Sequence, residues 1–177
     1  EDGRGPGIDI VIDVVDGDFE NLDFSGESFD AVWSQDAILH SGNRKRVFSE
    51  VDRVLKPGGH FVFTDILQQA DVDPSELQPV YERIHLDSLG SEESYDEYAK
   101  ALGWEKSAFL ALPEQLPRHY QRVHNTLTEL NEELSQKISE EYRERMQHGL
   151  QHWIKAGKAG RLNWGILHYA KPSRPSA

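Results

Sequence analysis

Cysteine is absent from the 177 residues. Disulfides and thiolate metal sites are therefore excluded, and the composition is compatible with the cytoplasm. Basic residues are scarce. Nineteen Lys and Arg stand against 31 Asp and Glu, a net charge of −12. Such a chain repels nucleic acid and anionic membranes, so neither is an expected partner. No apolar run is long enough to span a bilayer. The N-terminus lacks the basic flank and apolar stretch of a secretory signal. It also lacks a starting methionine, so the chain reads as a fragment. No G-x-G motif follows a strand-like run, and a dinucleotide-binding reading has no support. The acidity leaves two readings open, a merely soluble surface or one built for high salt.

What is present is the alternation of an α/β protein, in one domain with a real core. Residues 1–7 read as a flexible lead-in. "IDIVIDVV" is rich in β-branched residues and predicts a strand near residues 10–15. "FDAVWS", from Phe29 to Ser34, is a second, mostly apolar strand of the kind covered on both faces. Between Ser41 and Leu55, Val47, Val51, Val54 and Leu55 recur at helical spacing, with Ser41 or Asn43 as the cap. Pro57, Gly58 and Gly59 then turn the chain into a third strand, "HFVFTDI". Helices are expected over 74–85 and 95–102, and a strand near 105–111. Helix in two pieces broken near Ser139 should fill most of 113–156. "RLNWGILHYA" closes as a strand, and the tail from Lys171 reads as loose. The stretch from about 71 to 156 is thus a mostly helical cover within a single domain over 1–177.

In parallel α/β sheets, ligands bind beyond the carboxyl ends of the strands. Asp16 to Glu20, Gln35 to His40 and Asp65 to Gln69 should therefore border one crevice. Asp36 and His40 stand four apart, and one helical turn would put them on one face. A helix cap plus a solvated histidine is the alternative reading. His148 and His152 have a spacing that can bind zinc, but no acid is convincingly placed beside them, and surface or core roles are favoured. "GKAGR" at 157–161 lacks phosphate-loop spacing and reads as a basic turn attracting a small anion.

These residues resemble the second half of class I S-adenosylmethionine-dependent methyltransferases. "VLKPGG" after a helix, leading into "FVFTDI", is similar to that superfamily. "SQDAILHS" and "HWIKAGKAGRLNWGILHYAK" look like the sarcosine/dimethylglycine N-methyltransferases that make glycine betaine. The acid and histidine four apart also resemble the phosphoethanolamine methyltransferases. The resemblance implies a Rossmann-like sheet of order 3-2-1-4-5-7-6, with strands 3, 4, 5, 7 and 6 here and strands 1 and 2 absent. The missing part would hold the glycine-rich cofactor loop. It implies either a separate chain supplying that half or its loss, and an apolar edge on strand four.

The resemblance also assigns residues. Asp18 and Phe19 would contact adenine, and Gln35 would lie against the methionine part of S-adenosylmethionine. Asp36 and His40 would position and deprotonate the substrate amine. Arg83, with Tyr81, would hold an anionic end, and Lys158 or Arg161 is a further anchor. Trp164, Tyr120 and Tyr81 could cage the cation that forms on nitrogen. No metal is required. Sarcosine or dimethylglycine is the expected substrate. Another small amine such as phosphoethanolamine is the second reading, and a non-catalytic binding or assembly module is the third.

Overall fold

The computed structural model describes residues 11–174. The expected lead-in at 1–7, the start of the first expected strand and the last three residues of the tail lie outside them. Four strands form one sheet: β1 (Phe29–Gln35), β2 (Leu55–Gln68), β3 (Glu105–Ala111) and β4 (Leu162–Ala170). Their spatial order is β1-β2-β4-β3. β1 and β2 run parallel through α1 (Arg44–Val54), while β4 is antiparallel to both its neighbours. The remaining helices are α2 (Gln78–Ile84), α3 (Glu92–Ala101), α4 (Gln115–Glu129), α5 (Asn131–Leu134) and α6 (Glu140–Lys158). Ser139 caps α6 with its hydroxyl, which is why the long helical stretch breaks there.

Two expectations are corrected. Residues 11–15 form no strand; Val11, Ile12, Val14 and Val15 are exposed. β-branched sequence favours a strand but does not supply one, because a strand needs a paired neighbour. β1 pairs only with β2, so its other edge is open among the described residues. The helix after β1 starts at Arg44 and is capped by Asn43, one of the two expected caps, whose side chain accepts from the Arg46 amide. Ser41 is otherwise engaged, donating to Glu20 Oε1 at 2.5 Å. Finally, Pro57 and the two glycines do not precede the strand; they form its irregular first stretch. Phe29 pairs with Leu55 while Ala31 pairs with His60, so the β2 backbone bulges between them. Gly58 takes φ +79°, a conformation open to glycine, and its amide reaches the carbonyls of Lys171 and Pro172.

The tail is also less free than its composition suggests. Lys171 Nζ donates to the carbonyls of Asp52 at 2.6 Å and Leu55 at 3.1 Å, and Arg174 pairs with Glu27.

Two clusters hold the layers together. On one sheet face, Phe48 of α1 meets six aromatic rings, those of Phe61, Phe63, Tyr95, Tyr98, Trp104 and Tyr169. Each such pair adds about 0.5–1.5 kcal/mol beyond its area burial, so Phe48 is the centre of this core. The second cluster lies at the carboxyl end of β2, where Leu77, Val80, Tyr81, Leu116, Trp153 and Leu162 join α2, α4 and α6 to the sheet. Together the two clusters fix a helical roof over the strand ends, and the space left beneath that roof is where the site lies.

Candidate active site

β1 delivers Gln35 and Asp36 at its carboxyl end, and a single 3-10 turn, Ile38–His40, follows. Ile38 and Leu39 are buried, which drives the turn inward and leaves His40 exposed. Gln35, Asp36 and His40 line one cleft of about 1220 Å³. Asp36 and His40 make no direct hydrogen bond to each other; they share the cleft wall.

Asp36 is fixed from several sides. Its backbone is left-handed, φ +47°. Asparagine and aspartate tolerate that region better than other side chains, though it still costs about 1–2 kcal/mol. Its amide donates to the carbonyl of Thr64 at 3.0 Å and to the Thr64 hydroxyl at 3.1 Å. The Thr64 hydroxyl in turn donates to Asp36 Oδ1 at 3.0 Å, and the Trp164 indole N–H donates to the same oxygen at 2.8 Å. Oδ2 has no partner among the described residues. β2 and β4 thus clamp one carboxylate oxygen and leave the other available.

The opposite wall is cationic. Arg83 of α2, Arg118 and Arg122 of α4 and Arg145 of α6 line the cleft, with His85 and His119. None of the four arginines has a carboxylate at ion-pair distance among the described residues, although eight other Lys or Arg residues do. Arg145 lies 5.2 Å from the centre of the Tyr142 ring. Among the described residues, Asp36 is the only acid in the lining. Tyr120 lines the cleft and packs on Trp153, ring centres 5.2 Å apart. Burial pushes its hydroxyl up to about 12, Arg83 opposing and Asp36 adding.

Of the other sequence candidates, Trp164 lines the cleft, while Tyr81, Lys158 and Arg161 do not. Tyr81 is buried, and its hydroxyl donates to Gln68 Oε1 at 2.8 Å, so it cannot face a ligand. Lys158 reaches only Gln121, at 3.5 Å, and Arg161 pairs with Glu76 at 2.7 Å on the surface. Asp18 is exposed in a turn, accepting from the Glu20 amide at 2.8 Å, and Phe19 packs half-buried against the first core. The segment 16–20 contributes nothing to the cleft wall. It is tied to the wall instead, because Glu20 Oε1 accepts from Ser41 and from the Asn43 amide. Of 65–69 only Ile66 lines the cleft. Asp65, beside it, is fully buried. Burial pushes its carboxyl up to about 7, against the hydrogen bond from Tyr95 and the charge of Arg44. His148 and His152 meet edge to face on α6, and no group of three metal-ligating side chains occurs among the described residues.

Arg118, Arg122 and Arg145 are absent from the sequence reading. On paper each belongs to a solvated helix face. One signal was available: Arg118 and Arg122 are like charges four apart on a helix, an unfavourable pair that needs a reason.

The methyltransferase-domain family matches residues 1–63. Over 94% of its length the chain is 51% identical to the sarcosine/dimethylglycine N-methyltransferase of Aphanothece halophytica, covering 60% of that protein. It is 47% identical over 93% of its length to the glycine/sarcosine/dimethylglycine N-methyltransferase of Actinopolyspora halophila, covering 29%. A crystal structure of a candidate sarcosine dimethylglycine methyltransferase from Galdieria sulphuraria superposes with TM-score 0.85 at 36% identity, over 90% of this chain and 58% of that one. The chain thus spans about 60% or less of these relatives. Fold and sequence point to one class: the fold is that of class I methyltransferase structures, and residues 1–63 are similar to the methyltransferase-domain family. Within that class its similarity, at 43–51% identity over more than nine-tenths of its length, is to the sarcosine/dimethylglycine N-methyltransferases.

Proposed function

We propose that this chain carries the methyl-accepting side of an N-methyltransferase that converts sarcosine and dimethylglycine to glycine betaine. The observation that carries the reading is one cleft with a clamped acid and an imidazole on one wall and unpaired arginines on the other. A zwitterionic amino acid has the matching pair of ends. The similarity to named sarcosine/dimethylglycine enzymes supports the same substrates.

S-adenosylmethionine, when bound, supplies an electrophilic methyl on a sulfonium. The residues present suit its adenosyl side: Asp18 offers a carboxylate oriented by its own turn, beside the half-buried Phe19 ring, and Gln35 opens from the end of β1. An ammonium has no lone pair, so the substrate nitrogen must reach the methyl deprotonated. The free oxygen of Asp36 orients the nitrogen, and the His40 imidazole accepts the proton. Arg83 forks onto the carboxylate. Trp164 and Tyr120 face the charge that grows on nitrogen. Holding nitrogen in line recovers association entropy worth several kcal/mol of barrier. The helices between 71 and 156 exclude water over this reaction.

The open edge of β1, with Trp33 60% exposed on that strand, supports pairing with further strands, on this or a separate chain, that complete the sheet and its cofactor loop. An exposed apolar edge is otherwise an aggregation hazard. The enzyme acts on a small molecule, in the cytoplasm, without nucleic acid or membrane.

Labelled S-adenosylmethionine with sarcosine, dimethylglycine or phosphoethanolamine tests the reading in the complete enzyme, this chain with the strands that finish its sheet. Label in betaine supports it. Label only in the phosphate ester favours the second reading, to which four arginines in one cleft also lend themselves, since a phosphate takes several cationic contacts. No binding of S-adenosylhomocysteine by a folded protein indicates the non-catalytic module.

A further inference from the structure

Gly149 sits inside the nineteen-residue helix α6 and is fully buried. A glycine within a helix is unfavourable relative to alanine, because it loses more backbone freedom on folding. Nothing in its backbone calls for glycine, since it has no positive φ. The reason lies across the helix. A methyl group built at Gly149 overlaps Arg83 Nη1 and stands 3.0 Å from Arg83 Cδ and Cζ. The guanidinium of Arg83 therefore lies against the bare backbone of α6, at the point where α2 and α6 meet. Arg83 is half-buried, lines the cleft and has no ion-pair partner among the described residues. No carboxylate orients it, so the groove at Gly149 does.

We infer that Gly149 is the positioning residue for the substrate's carboxylate: it lays the Arg83 guanidinium along α6, and so fixes the distance between the anionic anchor and Asp36. This rests on the functional reading above and adds what sets the reach of the cleft. The overlapping atom is the far end of a flexible side chain, so a methyl group displaces Arg83 and leaves the helix intact. Gly149 touches no reacting atom and acts through Arg83 alone.

Gly149→Ala in the complete enzyme is the test, read by steady-state kinetics with dimethylglycine and with dimethylethanolamine, a tertiary amine lacking the carboxylate. Gly149→Ala melts no lower than the parent. Its KM for dimethylglycine rises about tenfold, the scale of one charge-assisted hydrogen bond, with kcat within twofold. Its kinetics with dimethylethanolamine match the parent's. In an Arg83→Ala background the same substitution changes nothing further. An unchanged KM for dimethylglycine overturns the inference and leaves the functional reading standing. Equal losses with both amines, or an added loss in the Arg83→Ala background, also overturn it, because Gly149 then acts through packing. If the parent turns over neither sarcosine nor dimethylglycine, the functional reading fails, and this inference fails with it.

Discussion

Asp36 stores backbone strain where its carboxylate is needed, and Trp164 and Thr64 keep it there. General-base residues contribute about 10²–10⁴-fold to a rate. His40→Ala should therefore lower kcat for dimethylglycine by about 100-fold or more while S-adenosylhomocysteine binds as before in calorimetry. Trp164→Phe keeps the ring and removes the donor to Asp36 Oδ1; kcat should fall about tenfold, one charge-assisted hydrogen bond's worth. That Asp36 and His40 would share a crevice was legible in the sequence, because a chemistry-bearing side chain just past an apolar strand is a readable position. Tyr81 was misread for the converse reason. An aromatic on an amphipathic helix looks the same whether it faces a cleft or the core, and only the partner of its hydroxyl, Gln68, decides. The arginines of α4 and α6 were invisible because their shared wall exists only once two distant helices pack together.

At the scale of elements, most strands and helices could be read from periodicity and turn residues. The strand expected near 10–15 could not, since pairing is a tertiary property and residues 11–15 have no strand partner among the described residues. The loop before β1 depends on a buried acid of α1. Glu50 accepts from the Leu22 amide at 3.0 Å and pairs with Arg53 at 2.7 Å, and that Arg53 hydrogen bond, opposed by burial, holds its carboxyl below the usual range. Glu50→Ala should lower stability by about 1–3 kcal/mol, seen as a lower denaturation midpoint. Asp65 gives β2 a pH dependence of opposite sign. Its native pKa of about 7 stands above its ordinary 3.8, so the folded state holds a proton that the unfolded state has lost between those values. Its contribution to stability therefore declines as pH rises from about 4 to 7, by on the order of 4 kcal/mol. Asp65→Asn, neutral throughout, should melt like the parent near pH 4 and above it at pH 8. A constant gap between the two at all pH values would show that Asp65 does not titrate in this way.

The whole molecule carries −12 yet gathers into one cleft four arginines with no ion-pair partner among the described residues. The net charge repels itself in dilute salt, and about 1 M salt shortens the Debye length to roughly 3 Å. Thermal stability should accordingly rise with sodium chloride, and activity should persist in high salt, as the proposed synthesis of an osmolyte would require. Activity that collapses in high salt would remove the halophilic reading. That reading was open in the composition, but the segregation of charge was not, because net charge says nothing of where charges meet.

In the proposed function, the end of β1 presents Asp36 and His40 to the amine that accepts the methyl group. Single-turnover transfer from S-adenosylmethionine to dimethylglycine, compared between the parent and His40→Ala, tests it most directly. The account predicts transfer slowed by about 100-fold or more at saturating substrate, with cofactor affinity intact. Transfer within twofold of the parent would contradict it.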